Sequence, residues 1–267
     1  MRLTTFLSST LRRLTRYVRQ CAPLVAIVVT SATAFSTPAS SFEQNTAITK
    51  VQVVLIIDDM GNSLKLGQRA LALPGAINYA FLPHSRYTKK LATQAHQQQK
   101  EVLLHAPMSN LNSYATGPGT LTAAMQQQQF LQTFQQDLAS VPYARGVNNH
   151  MGSLLTQLHQ PMDWLMQALK AEQLYFLDSR TTPLTLAEAR AKAHAIPHLR
   201  RDVFLDNERQ YKAIAAQFSR LITLAKRQGQ AVAIGHPYPE TLEFLENTLP
   251  SLQQQGIQLV LASQAVR

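Results

Sequence analysis

The chain has 267 residues, 45% hydrophobic and 15% charged, enough apolar content for a full core and too much for wholesale disorder. Of the formal charge of +10, half sits in residues 1–34, which hold five arginines (Arg2, Arg12, Arg13, Arg16, Arg19) and none of the 15 acidic residues. The rest is only mildly basic and has no dense Lys/Arg block, so no nucleic-acid footprint is expected. The single cysteine, Cys21, precedes the folded part, which excludes a disulfide, a thiol nucleophile and a Cys-ligated metal there.

In chain order, the arginine-rich start is followed by an apolar run from Ala22 to Phe35 and then by small residues and Pro38. The run is shorter than the roughly 20 residues a spanning helix needs, and Ala32-Thr33-Ala34 offers a small-residue cleavage site. Residues 1–34 therefore read as a signal peptide, with an uncleaved N-terminal anchor as the alternative. Residues 35–50 read as a polar linker, and 51–267 as one folded domain. The expected location is periplasmic or secreted, with no stable membrane span after cleavage.

From residue 51, apolar runs of strand length occur at 51–57, 77–82, 101–105, 145–150, 174–178, 193–199, 231–236 and 257–262. Helical patterns lie between them at 63–73, 85–99, 121–138, 161–172, 184–193, 208–228 and 239–254. Ile214, Phe218, Leu221, Ile222 and Ala225 recur at helical spacing, as do Leu242, Leu245 and Leu249. Short strands alternating with helices predict a parallel sheet, and seven or eight such units predict an α/β fold, a distorted (β/α) barrel. An open doubly wound sheet is the other arrangement this pattern allows.

Polar residues gather at the C-terminal ends of the strands, where β/α barrels build their sites. Asp58-Asp59 ends the first, His105 the third, Asn148-Asn149-His150 the fourth, Asp178-Ser179-Arg180 the fifth and His236 the seventh. An isolated Asp before Gly61 reads as a turn or cap, but two carboxylates after VVLII read as function. One carboxylate with His105 and His150 supplies the oxygen and neutral nitrogens that Zn²⁺ accepts, with positions left for water. Asp178 and Arg180 orient a ligand, hold substrate or form a structural ion pair, and Asn149 is a candidate substrate contact. His236 precedes two prolines that stiffen its loop, which suits a positioned acid. His84, His96, His159, His194 and His198 read as surface residues, with His84 able to line the pocket. Serine-hydrolase, P-loop and dinucleotide signatures are missing.

Six pieces in order, IIDDMG (56–61), EVLLHAPM (101–108), GVNNHMGS (146–153), FLDSRTT (176–182), RDVFLDN (201–207) and AIGHPYPET (233–241), make residues about 51 to 263 resemble the divergent polysaccharide deacetylases. The resemblance implies a distorted β/α barrel and metal-assisted removal of N-acetyl groups from a glycan such as peptidoglycan. It assigns Asp58 as base and Asp59 as metal ligand. Better-known relatives draw two metal histidines from one short segment, whereas 101–110 holds only His105, which leaves His150 to complete the set. Their late acid is matched by His236. The altered histidine pattern keeps open an inactive glycan- or envelope-binding protein on the same scaffold. A metal-dependent cell-wall amidase would use the same residues.

Overall fold

A computed structural model describes residues 51–267, so the expected signal peptide and linker lie outside the described residues. Nine parallel strands make one sheet: β1 (Val51–Met60), β2 (Asn78–Phe81), β3 (Glu101–Met108), β4 (Ala144–Met151), β5 (Tyr175–Asp178), β6 (His198–Arg200), β7 (Val203–Phe204), β8 (Gln230–Gly235) and β9 (Ile257–Leu259). The helices are α1 (Leu64–Leu71), α2 (Thr88–Gln97), α3 (Gln127–Ser140), α4 (His159–Ala171), α5 (Ala187–Ala193), α6 (Tyr211–Gln228), α7 (Pro239–Thr248) and α8 (Ala262–Ala265).

The strand order is β6-β5-β4-β3-β2-β1-β8-β7, with β9 beside β1. The two ends of that order are joined by only Arg201 and Asp202, so the sheet must curl until its edges meet. The backbone shows the handover: Arg201 N–H donates to Asp178 O of β5 (2.9 Å), and Asp202 N–H donates to Val232 O of β8 (2.9 Å). A single extended segment thus serves both edges, and an open doubly wound sheet is excluded. The expected strand at 193–199 shrinks to β6, because α5 runs to Ala193. The two-residue β7 and the short α8 had no periodic signal.

Side-chain alternation along each strand sorts the core into two layers. Val53, Leu55 and Ile57 of β1, Val102 and Leu104 of β3, and Ala231 and Ala233 of β8 face outward and pack under the helices. Their neighbours Val54, Ile56, Leu103, Val232 and Ile234 face inward and form a second cluster with Tyr175 and Leu177. The helices contribute their expected faces, such as Ile214, Phe218, Leu221 and Ala225 of α6, which ends at Gly229 in the left-handed conformation. The expected helix over 239–254 is α7 followed by two short 3-10 turns, at 249–251 and 253–255. Among the described residues no helix is long and apolar enough to cross a membrane.

Candidate active site

The inward alternation decides which polar residues meet. On β1 the inward series Val54-Ile56 continues to Asp58, and on β3 Leu103 continues to His105. On β4 Gly146 continues to Asn148 and His150. Past β7, Phe204 continues to Asp206, and past β8, Val232-Ile234 continues to His236. Above the apolar layer, each series ends in a polar side chain at the same end of the sheet. Asp59 has the wrong parity for this. A register shift in β1 between Ile57 and Met60, with Asp59 at φ 55°, swings its carboxylate into the site. Such a bulge re-aims one side chain at the cost of an interrupted ladder.

Three donor atoms converge. His150 Nδ1 lies 3.0 Å and His105 Nε2 3.3 Å from Asp59 Oδ1. The two ring nitrogens are themselves 3.2 Å apart. Asp59 Oδ1 is buried, yet makes no well-aligned hydrogen bond. A tetrahedral Zn²⁺ with metal–ligand bonds of about 2.0–2.1 Å would set its ligands about 3.3 Å apart. The triangle therefore fits a small divalent cation, and an acidic and two imidazole donors suit zinc chemistry.

Asn148, fully buried, supports this group. Its Oδ1 lies 2.8 Å from His105 Nδ1, which makes that nitrogen the donor and leaves the Nε2 lone pair facing Asp59. Its Nδ2 donates to Asp58 Oδ1 at 2.8 Å. Asp58 is 2% exposed, and burial pushes its carboxyl up against the opposing pull of His105 and His236. For Asp59, burial works against the charge, yet the adjoining His105 and His150 imidazoles hold it well below the usual carboxylate range. His105 is buried, which works against its charge, but Asp58 and Asp59 raise it to about 9.

His236 is backed by Asp206: its Nδ1 sits 2.9 Å from Asp206 Oδ1, and its own backbone N–H donates to Oδ2 at 2.6 Å. Thr241 Oγ1 also donates to Oδ2 (2.9 Å). Burial lowers the imidazole, yet Asp206 carries it above its ordinary value. With Nδ1 so occupied, Nε2 faces the pocket, 3.9 Å from Asp59 Oδ2. Neither Asp206, in the RDVFLDN piece, nor Asn148, at the end of the fourth strand, has a defined role from the sequence alone. Their signal was parity, two positions beyond an inward apolar residue or two before an inward histidine.

The remaining candidates fall differently. Asp178 has outward parity, and its carboxylate accepts Arg180 N–H (2.8 Å) and Thr185 Oγ1–H (3.1 Å) away from the pocket. Arg180, at φ 50°, contributes its carbonyl to Arg201 and does not line the pocket. Asn149 borders the pocket, but its amide is engaged with backbone, donating to Met151 O (2.7 Å) and accepting from Ser179 N–H (2.9 Å). His84 pairs with Asp137 at 2.8 Å.

Two depressions flank the triangle and share only Asp59 and His150. The first, about 330 Å³, holds Asp58, His105 and His236 and is rimmed by Phe204, Asn207, Arg209 and Tyr238. The second, about 260 Å³, lies between Leu82, Pro83 and the 115–118 loop. In the first, the Arg209 guanidinium sits 3.7 Å above the Tyr238 ring.

A family model described as divergent polysaccharide deacetylase matches residues 55–266. The chain belongs to that family. It is similar to YibQ of Escherichia coli (strain K12), at 39% identity over 212 residues, 79% of this chain and 66% of that protein, just under two thirds of its length. Among solved structures, protein ATU2773 of Agrobacterium tumefaciens C58 aligns with a TM-score of 0.78 at 23% identity, covering 80% of this chain and 89% of that one. BA3943 of Bacillus anthracis, described as a CE4 family pseudoenzyme, aligns with a TM-score of 0.50 at 15% identity, over 80% and 65% of the two chains. The family member described here therefore has the deacetylase-like fold.

Proposed function

We propose that this divergent polysaccharide deacetylase is an exported metal-dependent hydrolase that removes acetyl groups from acetamido sugars of an envelope polysaccharide. The observation that carries this reading is the triangle of Asp59, His105 and His150, with a buried carboxylate, Asp58, and a carboxylate-backed imidazole, His236, beside it in one depression. Export rests on the arginine-rich, apolar start of the chain, and places the protein in the periplasm or outside the cell.

Asp59, His105 and His150 would hold the cation, which supplies Lewis-acid polarisation of the amide carbonyl and a more acidic water. Asp58 accepts the proton of the attacking water. Its raised carboxyl is better matched to that task than an ordinary aspartate. Asn148 keeps Asp58 and His105 in place as this proton moves. His236, its imidazole raised by Asp206, donates from Nε2 to the departing amine. Arg209, stacked over the Tyr238 ring, offers a cation at the lip of the pocket, suited to sugar hydroxyls.

The family's fold is also carried by a protein described as a pseudoenzyme, so an inactive glycan-binding protein is the second reading. One experiment separates the two. Purified protein is assayed for metal by elemental mass spectrometry, and for free amine released from N-acetylated oligosaccharides. The hydrolase reading expects about one Zn²⁺ per chain, lost in Asp59→Ala and His150→Ala. It also expects Asp58→Asn to retain the metal while kcat drops by about 10²–10⁴. Wild-type protein that takes up no metal under excess Zn²⁺ would refute the hydrolase. Metal-loaded protein that cleaves peptide amides in place of acetamides would replace the deacetylase with a cell-wall amidase.

A further inference from the structure

We propose that Phe204 and Tyr238 are positioning residues for the proton donor: their rings hold the His236 imidazole so that its Nε2 faces the triangle. The delivery of a proton rests on the hydrolase reading above, whereas the holding of the imidazole does not.

One hydrogen bond does not fix an imidazole. Asp206 anchors His236 at Nδ1 (2.9 Å), and that carboxylate is itself pinned at Oδ2 by the His236 N–H and the Thr241 hydroxyl. With Nδ1 alone held, the ring can still tilt about the contact and carry Nε2 off the departing nitrogen. An acid must lie within hydrogen-bond reach of the atom it protonates, so a tilt costs rate without loosening substrate binding.

Two aromatic rings restrict that tilt. The Phe204 ring centroid lies 5.2 Å from that of His236 at an interplanar angle of 43°, and the Tyr238 centroid lies 5.4 Å away at 26°. Aromatic pairs attract at such separations. Each ring in turn carries a guanidinium over it, Arg201 at 5.2 Å from the Phe204 centroid and Arg209 at 3.7 Å from that of Tyr238, both within reach of a cation–π attraction. Arg201 is itself tied down, donating to Ser179 O (2.7 Å) and Arg180 O (2.8 Å). The side chains form one series of contacts from Arg201 through Phe204, His236 and Tyr238 to Arg209.

Two local devices place the rings. Phe204 shares its inward parity with Asp206 and packs on the inner cluster, so one strand extension brings both a ring and a carboxylate to the imidazole. Tyr238 is folded back by a turn: its N–H donates to His236 O at 2.8 Å, a three-residue turn centred on Pro237, whose φ is fixed by its ring. Pro239 then opens α7 and anchors the turn from the other side. Contacts with both His236 and Arg209 commit the Tyr238 ring to this series, so its loss should act on the proton donor and not on sugar binding.

The test uses the full chain and two readouts. In metal-free protein the His236 ring protons are followed by NMR. Wild type and Tyr238→Phe, which keeps the ring, should give one sharp set, whereas Tyr238→Leu and Phe204→Leu should broaden or double it, the sign of an imidazole exchanging between orientations. In protein loaded with Zn²⁺ and given N-acetylated chito-oligosaccharides, each Leu variant should lower kcat about tenfold with KM little changed. Tyr238→Phe should recover most of that loss. On a His236→Ala background the same Leu substitutions should cost no more than about twofold further, because the imidazole they act through is gone. The two rings come from different elements, so a Leu variant that fails to fold leaves the other to decide. A raised KM with unchanged kcat in Tyr238→Leu would overturn the inference and return that ring to the sugar. A full tenfold loss repeated on the His236→Ala background would overturn it as well, as would a single sharp His236 set in both Leu variants. A wild type that turns over no acetamide removes the hydrolase reading, and the NMR outcome still decides whether the rings hold the imidazole.

Discussion

At the scale of single residues, the site is a competition between protons and a cation for the same lone pairs. His105 is buried between two carboxylates, and its imidazole is raised to about 9 from an ordinary value of 6.5. A raised histidine stabilises the metal-free protein fully below about pH 6.5, and that contribution fades as pH rises through 9. The shift corresponds to about 3 kcal/mol. A divalent cation needs the same Nε2 unprotonated, so its stabilisation must grow over the same window. Thermal denaturation should therefore show the metal-free protein losing Tm from pH 6.5 to 9, with the rise in Tm on adding Zn²⁺ becoming larger. A Zn²⁺-induced rise that is greatest at pH 6.5 would contradict the ligand assignment of His105, and His105→Gln should flatten both trends. Asp59, held well below the usual carboxylate range, stays ionised throughout and contributes no slope of its own.

At the scale of elements, alternation explains both what the sequence disclosed and what it hid. The strands and helices were legible because apolar runs and helical spacing are local signals. His105, His150, His236 and Asp58 were legible because they stand at strand ends. Their partners Asn148 and Asp206 carried the same parity, but without the curled sheet nothing said that parity pointed inward. Asp178 also stands at a strand end, yet it is out of step with the inward Tyr175 and Leu177 of β5 and turns away, toward Arg180 and Thr185. Asp59 reaches the site only through a bulge, which no periodicity predicts. The same alternation makes Gly146 sensitive. It is the inward residue of β4 two positions before Asn148, and a Cβ there would lie 2.3 Å from the Tyr175 ring. That ring has little freedom to retreat, because its hydroxyl donates to Glu101 at 2.7 Å. Gly146→Ala should lower stability by about 1–3 kcal/mol, read from the urea midpoint, as overpacking does. Coupling it with Tyr175→Leu should recover part of the loss. No recovery would mean that the strand backbone, and not the ring contact, sets the cost.

At the scale of the whole molecule, the curled sheet has two ends, and the chain closes the one opposite the site with its last residues. β9 pairs with the first residues of β1, and Val260, Ala262 and Ala265 complete the inward cluster beneath Val54 and Ile56. Two buried polar side chains depend on this plug. Asn78 accepts Ala262 N–H at 2.7 Å and donates to Leu55 O at 2.9 Å, bridging the gap where β1 changes neighbour from β9 to β2. Glu101 accepts Ser263 N–H at 2.8 Å, bonds the Ser263 hydroxyl and receives the Tyr175 hydroxyl. Removing residues 257–267 therefore opens the inner apolar layer to water and leaves a buried carboxylate and amide short of partners. Each unpaired group costs about 1–3 kcal/mol, and more where it is charged, which against a total stability of about 5–15 kcal/mol is severe. The truncated chain is expected to fail to reach a cooperative urea transition and to lose Zn²⁺ uptake with it, although it keeps every residue of the site. Should truncation leave no folded protein to measure, Ser263→Ala tests the same plug at full length. It removes one hydroxyl partner of Glu101 and should shift the urea midpoint down without changing metal stoichiometry. A truncated chain that unfolds at the wild-type midpoint would mean that the inner layer holds together without its plug, and that the site end of the sheet is stabilised by the outer helices alone.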